Sequence, residues 1–325
     1  MQPYKSNRFA LLFYLGFLIA GTLIAMLFAL LLPDAPSLAV SFPLYLIFFG
    51  GAVLVFCLRN RLRAGNIGLK PVTLRTVLMA ILLGLLLQPG CMLISYLTGF
   101  LFTNVKSGEI VSMAEYPLPL ILAAGALLPG FFEELVCRGV ILQGYRRAPV
   151  WIAVLMSSLY FGVLHGNFQQ AIYAAALGAV FAWMDLSADS IIPSMISHFT
   201  LNGTQLALAW LMDRNPSLFG AEAEAEEAAS VFSWPEFFAF LRITLITVPF
   251  IVICLQQLRK NRPASTGMAG EALTGTAGEA SAPDEAPFPD EEAPASSPAQ
   301  MWPMYLALVL GILYMLLTEK LLTQA

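Results

Sequence analysis

Long apolar runs separated by short polar segments dominate the chain. Most runs lack an amphipathic period, as expected for helices that contact lipid on several sides. A helix needs ~20 apolar residues to cross the hydrocarbon core of a bilayer. The pattern therefore predicts an all-α, polytopic transmembrane bundle of about 8–9 spans. The nine runs are Phe9–Leu32, Phe42–Leu58, Val77–Phe102, Leu118–Tyr145, Val150–His165, Phe168–Met184, Ile191–Met212, Phe237–Leu255 and Trp302–Leu317.

The composition supports an integral membrane protein. Apolar residues make up 58% of the chain and charged residues 12%, against ~45–50% and ~25% in soluble domains. Because no basic tract is interleaved with aromatic residues, nucleic acid is not an expected partner, whereas the lipid bilayer is. The cysteines all fall in apolar runs, with neither a CxxC pair nor a zinc-type spacing. We expect them to be small buried hydrophobes.

Lysine and arginine cluster in alternate loops, which predicts the orientation of the chain. The N-terminal flank and the second, fourth and eighth loops carry most of the basic residues, whereas the intervening loops carry few. Cytoplasmic loops are enriched in Lys and Arg, so we expect a cytoplasmic N-terminus. An odd number of spans then places the C-terminus on the opposite side. The basic residues are Lys5 and Arg8, then Arg59, Arg61, Arg63, Lys70 and Arg75, then Arg146 and Arg147, and finally Arg259, Lys260 and Arg262.

Two segments differ from the apolar runs. AEAEAEE, at 221–227, predicts an acidic excursion from the membrane. Residues 263–300 hold seven carboxylates and six prolines without Lys or Arg, a composition that predicts a disordered linker. The expected organisation is an N-terminal group of transmembrane helices at 1–112, a core at 113–212, an acidic loop with one helix at 213–262, the linker at 263–300, and a final helix at 301–325.

The fourth run contains three charged residues, Glu133, Glu134 and Arg138. A charge at the centre of a membrane helix costs ~2.5–3.5 kcal/mol on insertion scales, so these residues need a structural or chemical reason. Glu134 and Arg138 are four apart and can form an ion pair on one helix face. Glu133 points ~100° away and is left as a candidate general base. A packing cluster without chemistry is the alternative at this point.

The chain has only two histidines, His165 and His198, and both lie in predicted spans. Asn202 follows His198 by four residues and therefore shares its helix face. Measured from the turn at 146–149, Glu133 lies ~20 Å and His165 ~24 Å into the bundle, at 1.5 Å per residue. These similar depths predict that the polar side chains converge on one buried pocket.

The residue types favour hydrolysis by activated water. The sequence has no GxSxG or HExxH motif, which argues against the serine and zinc hydrolases that use them. Glu133 could activate a water for attack on a carbonyl, and His198 and Asn202 could donate to the resulting oxyanion. The alternative is a transporter or channel in which Glu133, His165 and His198 relay protons.

Three motifs resemble those of a known family. EELVCR at 133–138, FGVLH at 161–165 and HFTLN at 198–202 match EExxxR, FxxxH and HxxxN. In this order on hydrophobic helices, they resemble the CAAX protease and bacteriocin-processing family (CPBP or Abi), which includes type II CAAX prenyl endopeptidases. The resemblance covers roughly residues 115–205 and implies a CPBP-type core. It also implies a glutamate-dependent intramembrane endopeptidase acting on a membrane-associated or lipidated protein or peptide.

The resemblance also implies a role for each motif residue. Glu133 and His165 would hold the nucleophilic water, and His198 and Asn202 would polarise the scissile carbonyl. Glu134 and Arg138 would support the site. Zinc held by Glu133, His165 and His198 is an alternative, since catalytic zinc takes three protein ligands and a water. We favour a site without metal or other cofactor, because Asn202 is a good oxyanion donor and a poor zinc ligand.

Overall fold

The computed structural model describes residues 2–32, 37–103, 113–215, 232–261 and 298–323. Within them the chain is all-α, as predicted, with nine principal helices and no strand. The acidic excursion at 221–227 and residues 263–297 of the linker lie outside the described residues. The helices are α1 Pro3–Leu31, α2 Leu38–Asn60, α3 Leu74–Gly99, α4 Leu118–Leu142, α5 Val150–Val163, α6 Phe168–Ala188, α7 Ile192–Arg214, α8 Trp234–Lys260 and α9 Pro298–Leu322.

Each predicted run corresponds to one helix, and seven of the described helices are long and apolar enough to cross a membrane. The protein is therefore a multi-pass membrane protein. The other two are α5 and α7. Helix α5 has 14 residues, about 21 Å at 1.5 Å per residue, which is short for a bilayer. Helix α7 has 23 residues, but its sequence carries many hydroxyl, amide and imidazole side chains.

One end of the bundle gathers the basic loops. Asp189, in the turn between α6 and α7, forms ion pairs with Lys70 (2.7 Å) and with Arg146. The side chain of Asn7, near the start of α1, donates to the carbonyl of Gln300 at 2.8 Å, near the start of α9. Asn7 also accepts from the hydroxyl of Tyr145, beside the fourth loop, at 2.6 Å. The start of α1 and the second, fourth and sixth loops therefore share one face of the molecule.

The opposite end holds the C-terminal part of α9. Glu319 accepts hydrogen bonds from the backbone N–H and the hydroxyl of Thr103, both at 2.9 Å. Arg214, which ends α7, donates to the carbonyl of Ala114 at 2.7 Å. Helix α9 thus crosses the whole bundle, and the start of α1 and the end of α9 lie on opposite faces. That the N-terminal face is cytoplasmic stays a prediction from the basic residues.

The main core surrounds α4 and α5. Val136 and Ile141 of α4, Tyr160 of α5, Ala10 of α1 and Met304 of α9 are all fully buried in it. Apolar side chains of α4 therefore contact protein on most sides instead of lipid, which is the setting that polar residues within a membrane require.

Three π-helical segments interrupt the α-helical geometry of α2 and α4. They are Leu44–Phe49 in α2, and Ala123–Leu127 and Leu135–Leu142 in α4. π-Helical turns are rare in proteins, and those that occur are often found at functional sites. Such a turn widens the helix and redirects side chains and carbonyls. The first two segments line the cavity described below, and the third contains Arg138, which lies behind the cavity wall.

Helices α3 and α7 approach closely at Gly84. A Cβ atom at this position would lie 2.7 Å from the carbonyl oxygen of Ser197 and 2.8 Å from the Cβ of Thr200. Backbone and β-carbon atoms cannot move aside as a flexible side chain can, so glycine is required for this packing. The contact seats the polar helix α7 against the bundle.

We expect Gly84→Ala to destabilise the protein by about 1–3 kcal/mol, the usual cost of overpacking. Gly99→Ala is the matched control, since Gly99 lies in the same helix and a Cβ there meets no atom within 4 Å. Thermal unfolding of the purified proteins in detergent compares the two. Equal melting temperatures for both variants would contradict the close approach of α3 and α7.

Candidate active site

A cavity of about 430 Å³ lies inside the bundle, between α2, α4, α6 and α7. Four of the six predicted site residues line it, and they come from separate parts of the fold. Two others, Glu134 and Arg138, lie behind this wall with no exposure to solvent. The four lining residues are Glu133 of α4, His165 after α5, and His198 and Asn202 of α7.

The two oxygens of Glu133 have different surroundings. Oε1 accepts a hydrogen bond of 2.5 Å from the hydroxyl of Tyr45, which belongs to the π-helical segment of α2. Oε2 is buried and accepts no hydrogen bond from any side chain or backbone group in the described ranges. One oxygen is therefore anchored, and the other has no hydrogen-bond partner in those ranges.

Glu134 and Arg138 form the ion pair that their spacing predicts. The Arg138 Nε atom lies 3.1 Å from Glu134 Oε2, and neither side chain has any exposed area. The guanidinium also donates to the carbonyl of Gly178 at 3.1 Å and lies over the ring of Phe161, 4.3 Å from its centroid. The pair thus connects α4 to α5 and α6.

His198 is bound to Glu134 rather than to Glu133. Its Nδ1 atom lies 2.9 Å from Glu134 Oε1. Glu134 is ionised by its pairing with Arg138 and can only accept, so Nδ1 carries the hydrogen. The other ring nitrogen, Nε2, then holds the lone pair of the neutral imidazole. His198 can donate from Nε2 only when both nitrogens are protonated.

His165 has the same tautomer for a different reason. Its Nδ1 atom lies 2.8 Å from the carbonyl oxygen of Phe161, which can only accept, so the neutral ring carries its lone pair on Nε2. The edge of the Phe161 ring also contacts the imidazole, with centroids 5.0 Å apart. Helix α5 ends at Val163, two residues before His165, so the predicted span to His165 is slightly too long. His165 lies in the following turn.

Asn202 is oriented by the second π-helical segment. Its Nδ2 atom donates to the carbonyl of Gly125 at 3.3 Å, within Ala123–Leu127 of α4. A carboxamide has two N–H donors, so this bond fixes the plane of the group and leaves a second donor. Because Asn202 also lines the cavity, that donor suits a carbonyl oxygen placed there.

The predicted residues do not assemble the alternative zinc site. Among the residues that the structure describes, no three His, Cys, Asp or Glu side chains are close enough to hold a metal ion. Each histidine keeps Nε2 as its lone-pair nitrogen, as a ligand would. Glu133, however, is directed by Tyr45 and is not gathered with His165 and His198 into a ligand set.

Asp185 is a buried residue that the sequence analysis missed. It is 2% exposed, and its Oδ1 atom accepts from the backbone N–H of Ser194 at 3.1 Å. This bond satisfies one of the orphan donors in the first turn of α7. The predicted span ended at Met184, which placed Asp185 outside the membrane. That boundary is wrong, since α6 continues to Ala188.

Comparison with known families identifies the central part of the chain. Residues 115–204 match the family model described as type II CAAX prenyl endopeptidase Rce1-like. The match confirms the resemblance drawn from the motifs, so this segment is a domain of the CPBP family. It contains all three motifs and leaves out α1 to α3, α8 and α9. No curated protein and no solved structure matches the chain.

The different surroundings of the two glutamates predict different effects of substitution. Glu134→Gln leaves Arg138 buried without a counter-charge, and breaking a buried pair costs about 3–5 kcal/mol. Glu133→Gln keeps an oxygen that can accept from Tyr45, so its stability should stay close to that of the wild type. Thermal unfolding in detergent compares the two isosteric variants. Equal melting of both would contradict this division.

Proposed function

Because residues 115–204 form a type II CAAX prenyl endopeptidase-like domain, we propose that the protein is an intramembrane endopeptidase. It hydrolyses a peptide bond of a membrane-associated or lipidated protein or peptide. The observation that carries the proposal is the cavity wall, where Glu133, two histidines and Asn202 meet inside a membrane bundle. A carboxylate with one oxygen that has no hydrogen-bond partner among the described residues, next to imidazole and amide groups, suits hydrolysis by water.

Water is the nucleophile in the proposed reaction. Oε2 of Glu133 accepts a proton from the water while the water oxygen attacks the scissile carbonyl carbon. The lone pair on Nε2 of His165 accepts a hydrogen bond from the other O–H of the water and so orients the molecule; that hydrogen stays on the attacking oxygen. The carbonyl electrons move onto oxygen, and the amide of Asn202 donates to this oxyanion. His198 adds a second donor when both of its nitrogens are protonated.

Collapse of the tetrahedral intermediate completes the reaction. The carbonyl re-forms, the carbon–nitrogen bond breaks, and the proton held by Glu133 passes to the leaving amine. The products are an amine and a carboxylic acid, which loses its proton to water once released, and Glu133 is again ionised. Glu134 and Arg138 contact no reacting atom in this mechanism. They hold His198 in place through the hydrogen bond to Nδ1.

The cavity favours an apolar peptide. Its volume of about 430 Å³ is in the range of pockets that enclose small ligands, roughly 300–1,000 Å³, so only a few residues of a substrate fit. Aliphatic side chains from several helices line much of it, and they suit either the aliphatic residues of a CAAX sequence or a lipid chain. The aliphatic lining residues are Leu38, Val40, Leu44, Leu164, Leu177, Leu201 and Leu206.

We expect purified wild-type protein in detergent to cleave a fluorogenic peptide that ends in a farnesylated CAAX sequence, with no ion gradient present. Glu133→Gln should abolish cleavage, because it removes the base and keeps the shape. The unprenylated twin peptide tests whether the lipid is needed. A search for protein termini that appear in cells with wild type but not with Glu133→Gln widens the test to other substrates.

The transporter alternative predicts the opposite result. It requires gradient-driven flux in liposomes that is lost in Glu133→Gln, together with no wild-type cleavage of any peptide. A proton relay depends on a gradient, whereas hydrolysis by activated water does not, so the two assays separate the functions.

We expect Asn202→Ala to lower kcat by ~10²–10³, the usual effect of removing one oxyanion donor. KM should change far less, because the hydrogen bond strengthens only as charge develops on the carbonyl oxygen. Steady-state kinetics on the same peptide measure both constants. Elemental analysis of wild type and His198→Ala is the companion test. One zinc per active chain, lost together with activity in His198→Ala, would overturn the metal-free mechanism.

A further inference from the structure

One contact to the proposed base comes from outside the matched domain. Tyr45 lies in α2, 88 positions before Glu133, and its hydroxyl donates to Glu133 Oε1 at 2.5 Å. The direction is fixed, since an ionised carboxylate only accepts and a phenol can donate. Such charge-assisted bonds are the short and strong ones. No motif residue of the domain makes a hydrogen bond to Glu133 among the described residues.

The position of Tyr45 is determined by packing on several sides. Its ring lies 4.8 Å from that of Phe49 and is stacked at 6.3 Å on that of Phe132, the residue before Glu133. Gly50 allows this approach of α2 to α4, because a Cβ there would lie 2.9 Å from Cε1 of Phe132. The π-helical segment Leu44–Phe49 sets the direction of the tyrosine. The position of the hydroxyl is therefore fixed by packing of the ring, unlike that of a side chain that is free to change rotamer at the surface.

We propose that Tyr45 is a positioning residue, which holds Oε1 of Glu133 so that Oε2 is presented to the nucleophilic water. The inference rests on the proposed endopeptidase function. The terminal torsion of a glutamate is broad and roughly two-fold, so a carboxylate without an anchor exchanges its oxygens and samples many orientations. Anchoring one oxygen restricts this motion and keeps the other oxygen, Oε2, without a competing donor.

Tyr45→Phe removes only the hydroxyl and keeps the ring contacts with Phe49 and Phe132. We expect kcat to fall about ten- to hundredfold, the kinetic equivalent of losing one hydrogen bond to a charged group. KM should stay within about twofold, because in this role the hydroxyl acts through Glu133 and not on the substrate. The melting temperature should stay close to that of the wild type.

Tyr96→Phe is the matched control. Tyr96 lies in α3, also outside the matched domain, and its hydroxyl donates to the carbonyl of Ser233 at 3.1 Å, away from the cavity. The Tyr96 hydroxyl also accepts from the backbone N–H of Ser233 at 2.7 Å. Tyr96→Phe therefore loses a hydrogen-bonded tyrosine hydroxyl remote from the cavity and should keep wild-type kcat and KM.

The test measures wild type, Tyr45→Phe, Tyr96→Phe and Glu133→Gln on the farnesylated CAAX peptide. An inactive Glu133→Gln with Tyr45→Phe at wild-type kcat overturns the role of Tyr45 and leaves the proposed function standing. A loss confined to KM also overturns it, since Tyr45 would then contact substrate. A wild type no more active than Glu133→Gln, on this peptide and by cellular termini, overturns the proposed function and the inference together.

Infrared spectroscopy gives a readout that does not depend on turnover. The difference between spectra of wild type and Glu133→Gln isolates the carboxylate stretching band of Glu133. The same difference in the Tyr45→Phe background should show that band shifted and broadened, because the anchoring hydrogen bond is gone. An identical band in both backgrounds overturns the inference even if Tyr45→Phe proves too unstable for kinetics.

Discussion

The buried ion pair between Glu134 and Arg138 is the interaction on which the arrangement of the site depends. Two charges without solvent exposure are costly inside a membrane protein unless both are fully engaged. Here the carboxylate also accepts from His198, and the guanidinium donates to the carbonyl of Gly178 and lies over Phe161. Each partner belongs to a different helix, so α5, α6 and α7 are brought to one point on α4.

The same pair explains why two adjacent glutamates can differ in chemistry. Successive residues of a helix point ~100° apart, so Glu134 faces the packed interior when Glu133 faces the cavity. Arg138 and His198 both bind Glu134. Among the described residues, Glu133 accepts a side-chain hydrogen bond from the Tyr45 hydroxyl, and its other oxygen has no hydrogen-bond partner. Glu134 therefore has a structural role, and Glu133 is available as the proposed general base.

Local spacing was sufficient to predict the positions of the helices, the ion pair and four polar residues that line the cavity. These features depend on the rise per residue of a helix and on the shared face of residues four apart, and both can be calculated from residue numbers alone. Tyr45 could not be found in this way, because its contact joins residues 88 positions apart and a tyrosine in an apolar run carries no distinguishing signal. Asp185 was not identified, because the apolar pattern ends before it whereas the helix continues past it.

The π-helical segments were equally hidden from sequence analysis. No residue preference marks them, and they arise where packing between helices outweighs the ideal α-helical hydrogen-bond pattern. Their consequences are nevertheless local to the site. One carries Tyr45, one supplies the Gly125 carbonyl that orients Asn202, and one contains Arg138. Deviations from regular helix geometry therefore coincide with contacts of the proposed catalytic residues.

The helices that carry the histidines are those least suited to lipid. Helix α5 is short and α7 is polar, so each needs protein neighbours. Helix α3 supplies them for α7, where the hydroxyl of Ser197 donates to the carbonyl of Ala80 at 2.5 Å. Helix α9 packs on α5, and a Cβ at Gly311 would lie 2.6 Å from that of Val163.

These neighbours lie outside the matched segment, which explains why a domain of less than a third of the chain is embedded in a larger bundle. A polar helix in lipid leaves side-chain donors and acceptors without partners, at a cost of several kcal/mol each in hydrocarbon. The surrounding helices replace lipid with carbonyls and close apolar contacts. They thereby allow α7 to keep the polar side chains that the proposed hydrolysis needs, inside the bundle and beside the cavity.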